Sequence, residues 1–492
     1  MERSLRFRSL GPGCFLYALF YTFCLYHNTA GITYPFFVGG TLWFFCSYSK
    51  KFVSSSAKES ALINKRILMV AIFVIGALNC MTDSWVLLFL NKLLMSILVC
   101  ILMFQTWYDI TGWSIVMHLK AWCHMACGAI GRIFTPITDF VSIKKEEQLQ
   151  NDAPEKREKK KRIIRSVTLG LLICIPLVPM ILVLLGSADA VFGQMLYDVF
   201  LDFTIDAKTI DNIGTFVKIV IEVAVIGGLA YGVFTYFTNK ECKESIEQMA
   251  SASKTNYDVY IAMTVNVIIC VIYMIFSAIQ IFGLFLGKMT LPEGYTYASY
   301  ARRGFFQLVF VCLFNILLVL CTLAYFERIK ALKGILTVIS ICTYIMVASS
   351  AFRMILYISE YSLTFLRLFV LWALFIISLV MVGVLGYIYD SDFKLMRYMV
   401  VTLMIGYLVF SAVHPDYWIA RYNLAQSEGV DTYYLEEQLS LDAAPAFADH
   451  TYLQENYHVS SRLEKYKDVR DSFMGFRCVN LSREYALNKS GM

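Results

Sequence analysis

The stretch WVLLFLNKLLMSILVCILMF, residues 85–104, contains one charged side chain in twenty positions. As a helix rising 1.5 Å per residue it is about 30 Å long, the thickness of a bilayer's hydrocarbon core. Similar runs recur along most of the chain. Hydrocarbon offers a peptide group no hydrogen-bond partner, so a spanning segment must satisfy its own backbone as a helix or in a closed barrel. The ten-residue alternating segments of a barrel do not occur here. The runs therefore predict an all-α fold, a multi-spanning transmembrane helical bundle. Composition agrees: of 492 residues, 58% are hydrophobic and 16% charged, against roughly 25% charged in soluble domains.

Eleven candidate spans follow, at about 12–27, 31–48, 65–80, 84–106, 166–186, 213–237, 257–287, 305–326, 334–357, 366–388 and 397–413. The first, after the basic MERSLRFR, reads as a retained span because no small-residue cleavage site follows its apolar core. Lys and Arg concentrate in alternate loops, at 49–66, 107–165, 239–256, 327–333 and 390–397. Cytoplasmic loops retain such residues, which predicts a cytoplasmic N-terminus and, after an odd number of spans, an extracytoplasmic C-terminus. The net charge of +6 belongs to this pattern and is no sign of a nucleic-acid partner. Of the 14 cysteines, most fall in apolar runs; Cys80 and Cys478 are expected to be exposed, with no disulfide framework.

Four regions are expected: four spans in 1–110, a cytoplasmic interfacial helix and basic linker in 111–165, a seven-span membrane domain in 166–414, and a small helical extracytoplasmic domain in 415–492. Trp113 and Trp122 of the interfacial stretch are expected at the lipid surface. In the last region Pro415 and Asp416 stop the final span and cap a new helix. Tyr417 and Trp418 then sit where a span meets water. Arg421 and Asn423 lie just beyond, Asn423 as a partner for backbone groups freed at the turn.

The stretch PDYWIARYN (415–423) resembles the signature of a family of bacterial polytopic membrane proteins catalogued as domain of unknown function 4173. SADAVF (187–192), YARRGFFQL (300–308), RMILYISEYSLTFLR (353–367), LSLDAAPAF (439–447) and NLSR (480–483) fit the same pattern, so the resemblance covers residues 166 to the end. Ser362 departs from it, standing where Gly is expected in a tight turn. The resemblance implies a multi-pass protein of the bacterial cytoplasmic membrane, and no reaction, substrate or cofactor.

Chemistry-bearing motifs are sparse. No P-loop, dinucleotide fingerprint, zinc-protease helix or nucleophile elbow occurs. In HLKAWCHMAC (118–127), Cys123 and Cys127 share a helix face, but His124 points about 100° from Cys123, so no metal site is expected. Pro176 and Pro179 should kink the fifth span before an acidic loop, a candidate cation path that also fits ordinary prolines in spans. The outer loops gather Arg302, Arg303, Arg353, Tyr357, Glu360 and Arg367, a candidate polar cluster for an anionic group. For Arg302 and Arg303 snorkelling is the simpler account. Arg353 lies inside an apolar run, where a charge calls for a specific partner.

With no catalytic constellation and no cofactor expected, the sequence leans towards a binding, transport or cell-envelope accessory protein without chemistry of its own. Its expected partners are membrane lipid and an anionic lipid or envelope component, in an oligomeric state the sequence leaves unknown. The alternative is a membrane-embedded enzyme acting on an outer-leaflet anionic lipid or wall precursor through the Arg cluster, Glu360 and Asp416.

Two predictions follow from the spans. An impermeant thiol reagent should label Cys478 in whole cells and Cys123 only in opened ones; the reverse pattern would overturn the eleven-span topology. Lys92 lies about 12 Å into the fourth span, and Glu222 about 13 Å into the sixth from the same side, so the two make a candidate intramembrane ion pair. Lys218, four residues from Glu222, competes for it, and Asp83 is a weaker partner for Lys92. Stranding one member of a buried pair costs roughly 3–5 kcal/mol, whereas replacing both need not. Lys92→Met should therefore lower stability in detergent and Lys92→Met with Glu222→Leu should restore much of it; an unrecovered double variant leaves Glu222 to Lys218.

Overall fold

The computed structural model describes residues 3–28, 30–52, 62–151, 207–252, 257–282, 305–426, 433–447, 457–472 and 475–490. Among these the chain is helical, with no strand: α1 (Arg3–Leu25), α2 (Thr33–Phe52), α3 (Lys65–Leu78), α4 (Trp85–Trp107), α5 (Ile115–Ile130), α6 (Thr135–Asn151), α7 (Ala207–Thr238), α8 (Lys240–Ala252), α9 (Val259–Gln280), α10 (Phe305–Tyr325), α11 (Lys330–Tyr361), α12 (Phe365–Tyr389), α13 (Leu395–Ala412), α14 (Pro415–Leu424), α15 (Ala444–Phe447), α16 (Tyr457–Asp471) and α17 (Leu481–Ser490). Seven of the described helices are long and apolar enough to cross a membrane: α4, the Thr215–Thr238 part of α7, and α9 to α13. The protein is thus an all-α integral membrane protein.

The first three anticipated spans are helices α1, α2 and α3, outside that set of seven. At 14 residues, α3 reaches about 21 Å, short of a hydrocarbon core of about 30 Å. The span at 166–186, Pro176, Pro179 and the acidic loop lie outside the described residues. The stretch expected as one interfacial helix is two, α5 and α6, broken at Gly131–Phe134. Trp113 does not face lipid alone: its ring packs 5.8 Å from Phe104 and 6.1 Å from Tyr108. Cys80 is buried, while Cys123 and Cys127 are exposed.

The chain forms two compact units, one of residues 1–23 and 127–236, the other of 24–126 and 237–492. In the first, Arg6 of α1 grips Asp139 of α6 through Nε and Nη2, at 2.8 and 2.9 Å, and Tyr231 of α7 donates to the same carboxylate at 2.7 Å. Gly228 and Gly232 of α7 pass against the backbone at Ile133 and Ala129, where a β-carbon would come within 2.7 and 2.6 Å of carbonyl oxygens. A small residue every fourth position is what lets two helix backbones approach so closely.

In the second unit α9 to α13 form the main bundle. α11 packs against α9, α10 and α12; α13 packs on α12 and also on α3 and α4. Its core holds Leu336, Ile339, Met346, Leu374, Met381 and Val384, all essentially sealed. Asn91 of α4 accepts from Tyr407 of α13 at 2.7 Å and from Ser411 at 3.2 Å, a polar clasp between apolar helices. The remaining helices, α14 to α17, have their own core around Ile419, Leu435, Phe447, Leu463 and Leu487.

Candidate functional site

Two polar assemblies stand out in the second unit. The first is a seam inside the bundle. Asn266, Tyr273, Ser277 and Gln280 recur along α9 at intervals of seven, four and three, which places them on one helix face. Asn315 and Thr322 do the same on α10, and Thr343 and Ser350 on α11. The pairing is direct. Asn266 donates to Thr322 at 3.3 Å; Tyr273 donates to Asn315 at 2.6 Å; Asn315 donates on to Thr343 at 2.9 Å. At the far end Gln280 Oε1 accepts from Ser349 at 2.6 Å and from Arg353 Nη2 at 3.0 Å. From Asn266 to Gln280 the seam runs about 21 Å. Asn266 Oδ1, Ser277 Oγ and Ser350 Oγ, all buried within it, have no hydrogen-bond partner among the described residues.

The anticipated arginine cluster divides. Arg353, 7% exposed, belongs to the seam. Arg367 instead holds the α11–α12 turn: it donates to the carbonyls of Tyr361 and Ser362 and stacks 4.1 Å from the Tyr357 ring. So Arg353 and Tyr357, one helical turn apart, serve different neighbours. Glu360 is exposed, and Arg302 and Arg303 lie outside the described residues. Ser362 adopts φ 70°, so the tight turn that glycine would favour is made with serine.

The second assembly fixes the C-terminal helices. Asp83, just before α4, accepts from Arg483 Nε of α17 at 2.6 Å, from Arg462 Nη2 of α16 at 2.7 Å and from the Leu441 amide at 3.1 Å. Asp442 accepts from the Asp83 amide at 2.6 Å, from Ser482 at 2.5 Å and from the Thr82 hydroxyl. Both carboxylates are buried and their oxygens are taken up by protein donors. Asp416 of α14 accepts from the hydroxyl and, at 3.3 Å, the amide of Ser440. It therefore does not cap its own helix; His414 occupies that position at φ 52°, with Pro415 in the first turn. Asn480 donates to the carbonyls of Ala30 and Thr82 at 2.9 and 3.0 Å, and Asn28 donates to that of Arg477 at 2.7 Å.

Asn423 works at a different turn from the one expected. Its amide clamps Leu363, accepting from N–H at 2.9 Å and donating to C=O at 2.8 Å. Tyr434 accepts from the Phe365 amide at 2.7 Å. The C-terminal helices thus hold three loops of this unit, near residues 28–33, 79–84 and 362–365. Trp418 is half exposed, and Arg421 stands 5.8 Å from its ring. Lys92 stands 6.0 Å from the Tyr34 ring, while Asp83, one of its expected partners, is committed to two arginines. Asp442 and Arg483 stand in stretches noted only for a family resemblance, LSLDAAPAF and NLSR, with no role assigned; Arg462, His414 and the seam amides were not singled out. The seam had a visible signal, polar residues at heptad spacing inside apolar runs; nothing local tied Arg462 and Arg483 to Asp83, hundreds of positions away.

Charge in this assembly depends on pH. His414 Nδ1 faces Asp442 Oδ2 at 3.6 Å; that carboxylate chiefly, against burial and with Asp416 adding, raises the imidazole above its ordinary range. Burial pushes Asp416 up to about 6, with Asp442 and Asp83 adding repulsion and Ser440 opposing it. A group raised by folding binds its proton more tightly in the docked state. Its stabilisation is full below the undocked pKa and fades as pH rises through the docked one. For Asp416 that window runs from about 4 to about 6, and for His414 it lies higher. The C-terminal helices should hence resist limited proteolysis better at pH 5 than at pH 8, with about 1 kcal/mol from Asp416. His414→Gln with Asp416→Asn should flatten that dependence; an unchanged slope would place its origin elsewhere. Asn423→Ala should speed cleavage at every pH, because it frees both polar groups of Leu363.

No curated protein and no solved structure matches the chain. A family model described as domain of unknown function (DUF4153) matches residues 68–450. The match covers most of the chain, including the seam and the segment that carries Asp83, Asp416 and Asp442, and it differs in number from the 4173 family that the C-terminal motifs resemble. The protein, an all-α integral membrane protein, belongs to the DUF4153 family, a domain of unknown function.

Proposed function

We propose that this protein is a binding or transport component of the cell envelope, without chemistry of its own, whose working part is the seam through α9, α10 and α11. The observation that carries the reading is Arg353. An arginine within an apolar helix, about 12 Å from its end, is costly and tends to be kept for a ligand or ion path. Here it donates to Gln280 Oε1 at 3.0 Å, an oxygen that Ser349 also reaches, and among the described residues the buried hydroxyls of Ser277 and Ser350 in the seam have no hydrogen-bond partner. An anionic group of an envelope lipid or precursor is the ligand class that its charge suits.

Orientation is part of the proposal. The loops near 28–33, 79–84 and 362–365 that the C-terminal helices hold are those that the distribution of Lys and Arg assigns to the outer side. Their sharing one partner supports an extracytoplasmic C-terminus at a bacterial cytoplasmic membrane.

The enzymatic alternative draws on Asp416, whose pKa of about 6 suits an acid–base group. It is weaker, because Asp416 is 3% exposed and already accepts from Ser440.

Native mass spectrometry of protein extracted with its own lipids tests the choice. A bound anionic species present in wild type and lost from a folded Arg353→Gln variant is expected. The same complement of bound species in both would reject the seam as the site. If Asp416→Asn kept full protection from protease yet abolished the cellular phenotype, the enzymatic reading would take precedence.

A further inference from the structure

A groove runs between α12 and α13. It encloses about 710 Å³, and its lining includes Trp372, Ile376, Thr402, Ile405, Val409 and Trp418. Ile405 and Val409 are more than half exposed, on a helix apolar enough to cross a membrane, so the medium they meet is hydrocarbon. Gly406 in the groove wall lets Ile376 of α12 pack against the helix, since a β-carbon there would collide with its Cδ1, and Trp372 lies across, donating from Nε1 to the Gly406 carbonyl at 3.1 Å. Along α13 the lining extends from Val401 to Val413, about 18 Å. That is close to one leaflet, half of a hydrocarbon core of about 30 Å. The groove suits a chain that enters from one side and stops near the midplane.

The end of the groove is chemically distinct. Pro415 and Trp418 of α14 close it, and Trp is the side chain that settles at headgroup level. One turn beyond, Arg421 is exposed, with its guanidinium 5.8 Å from the Trp418 ring and Nη1 donating to the Tyr417 hydroxyl at 3.1 Å. Among the described residues no carboxylate pairs with it. A cation at the mouth of an apolar groove one leaflet deep matches a molecule with a phosphate at one end and a hydrocarbon chain at the other.

We infer that the α12–α13 groove is the seat of one anionic phospholipid, an acyl chain lying along Gly406 and Val409 and the phosphate on Arg421. The site is separate from the seam, so loss of Arg353 leaves it intact. The guanidinium supplies charge and a fork of donors for phosphate oxygens, and the Trp418 ring sets the level of the headgroup.

The test uses full-length protein in nanodiscs containing phosphatidylglycerol and phosphatidylcholine, with lipid retained after detergent washing counted by native mass spectrometry. Wild type is expected to keep one phosphatidylglycerol, preferred about fivefold over phosphatidylcholine. Arg421→Gln keeps a lipid but loses the preference. Val409→Trp fills the groove and keeps neither. No preference in wild type, or a retained phosphatidylglycerol in folded Val409→Trp, overturns the proposal. Should Val409→Trp not fold, fluorescence quenching decides: phosphatidylglycerol with brominated chains should quench wild type more than its phosphatidylcholine counterpart does, and replacing both groove tryptophans, Trp372→Phe with Trp418→Phe, should remove the difference. Equal quenching by the two lipids overturns it as well.

Discussion

Asp83 is the buried carboxylate around which the C-terminal helices are organised. Its two oxygens receive Arg462 and Arg483, from α16 and α17, at 2.7 and 2.6 Å, and the Leu441 amide joins them. A carboxylate taken from water needs such partners to be tolerated at all, and arginines so engaged cannot turn elsewhere without stranding it. Such networks are weak evidence of stability but define a position well. Here they set where two polar helices rest, by reference to the start of α4. Asp442 extends the arrangement, linking Thr82 and the Asp83 amide to Ser482. His414 and Asp416, whose pKa values are both raised by their surroundings, are the groups through which it is expected to respond to pH.

The membrane helices obey a different rule. Between helices already surrounded by hydrocarbon, burial of apolar surface gives little reason to prefer one neighbour over another, so small residues and polar contacts decide. Gly228 and Gly232 do this in the first unit, Asn91 and the α9–α11 seam in the second. The pairing in the seam is incomplete among the described residues: Ser277 and Ser350 keep buried hydroxyls without a protein partner there, near Arg353 and Gln280. The C-terminal helices and the seam meet at the α11–α12 turn, which Asn423 clamps at Leu363 and Arg367 at Tyr361 and Ser362.

How far the site could be read in advance differs residue by residue. Arg353 was legible, because a charge inside an apolar run is conspicuous whatever surrounds it. Its partner was not: Gln280 lies 73 positions away, and amides look alike in a sequence. Tyr357 and Arg367 stood out for the right composition but the wrong task, since nothing in their spacing tells that Arg367 folds back onto two carbonyls of its own turn. Asn423 was recognised as a partner for backbone at a turn; that the turn belongs to α11 and α12 is a fact of packing.

The sequence by itself determined the class of the molecule. Twenty apolar residues in succession can satisfy their backbone in a bilayer only as a helix, so the all-α membrane architecture was settled by local chemistry. The breaks at Pro415 and at the Ser362 turn were local too. Tertiary structure alone decided which helices become neighbours, which loops the C-terminal helices hold, and which buried polar atoms find one another. Those outcomes rest on contacts between positions as distant as Asp83 and Arg483, 400 residues apart. A carboxylate selects its guanidinium by where the chain brings it, and no periodicity along the chain records that meeting.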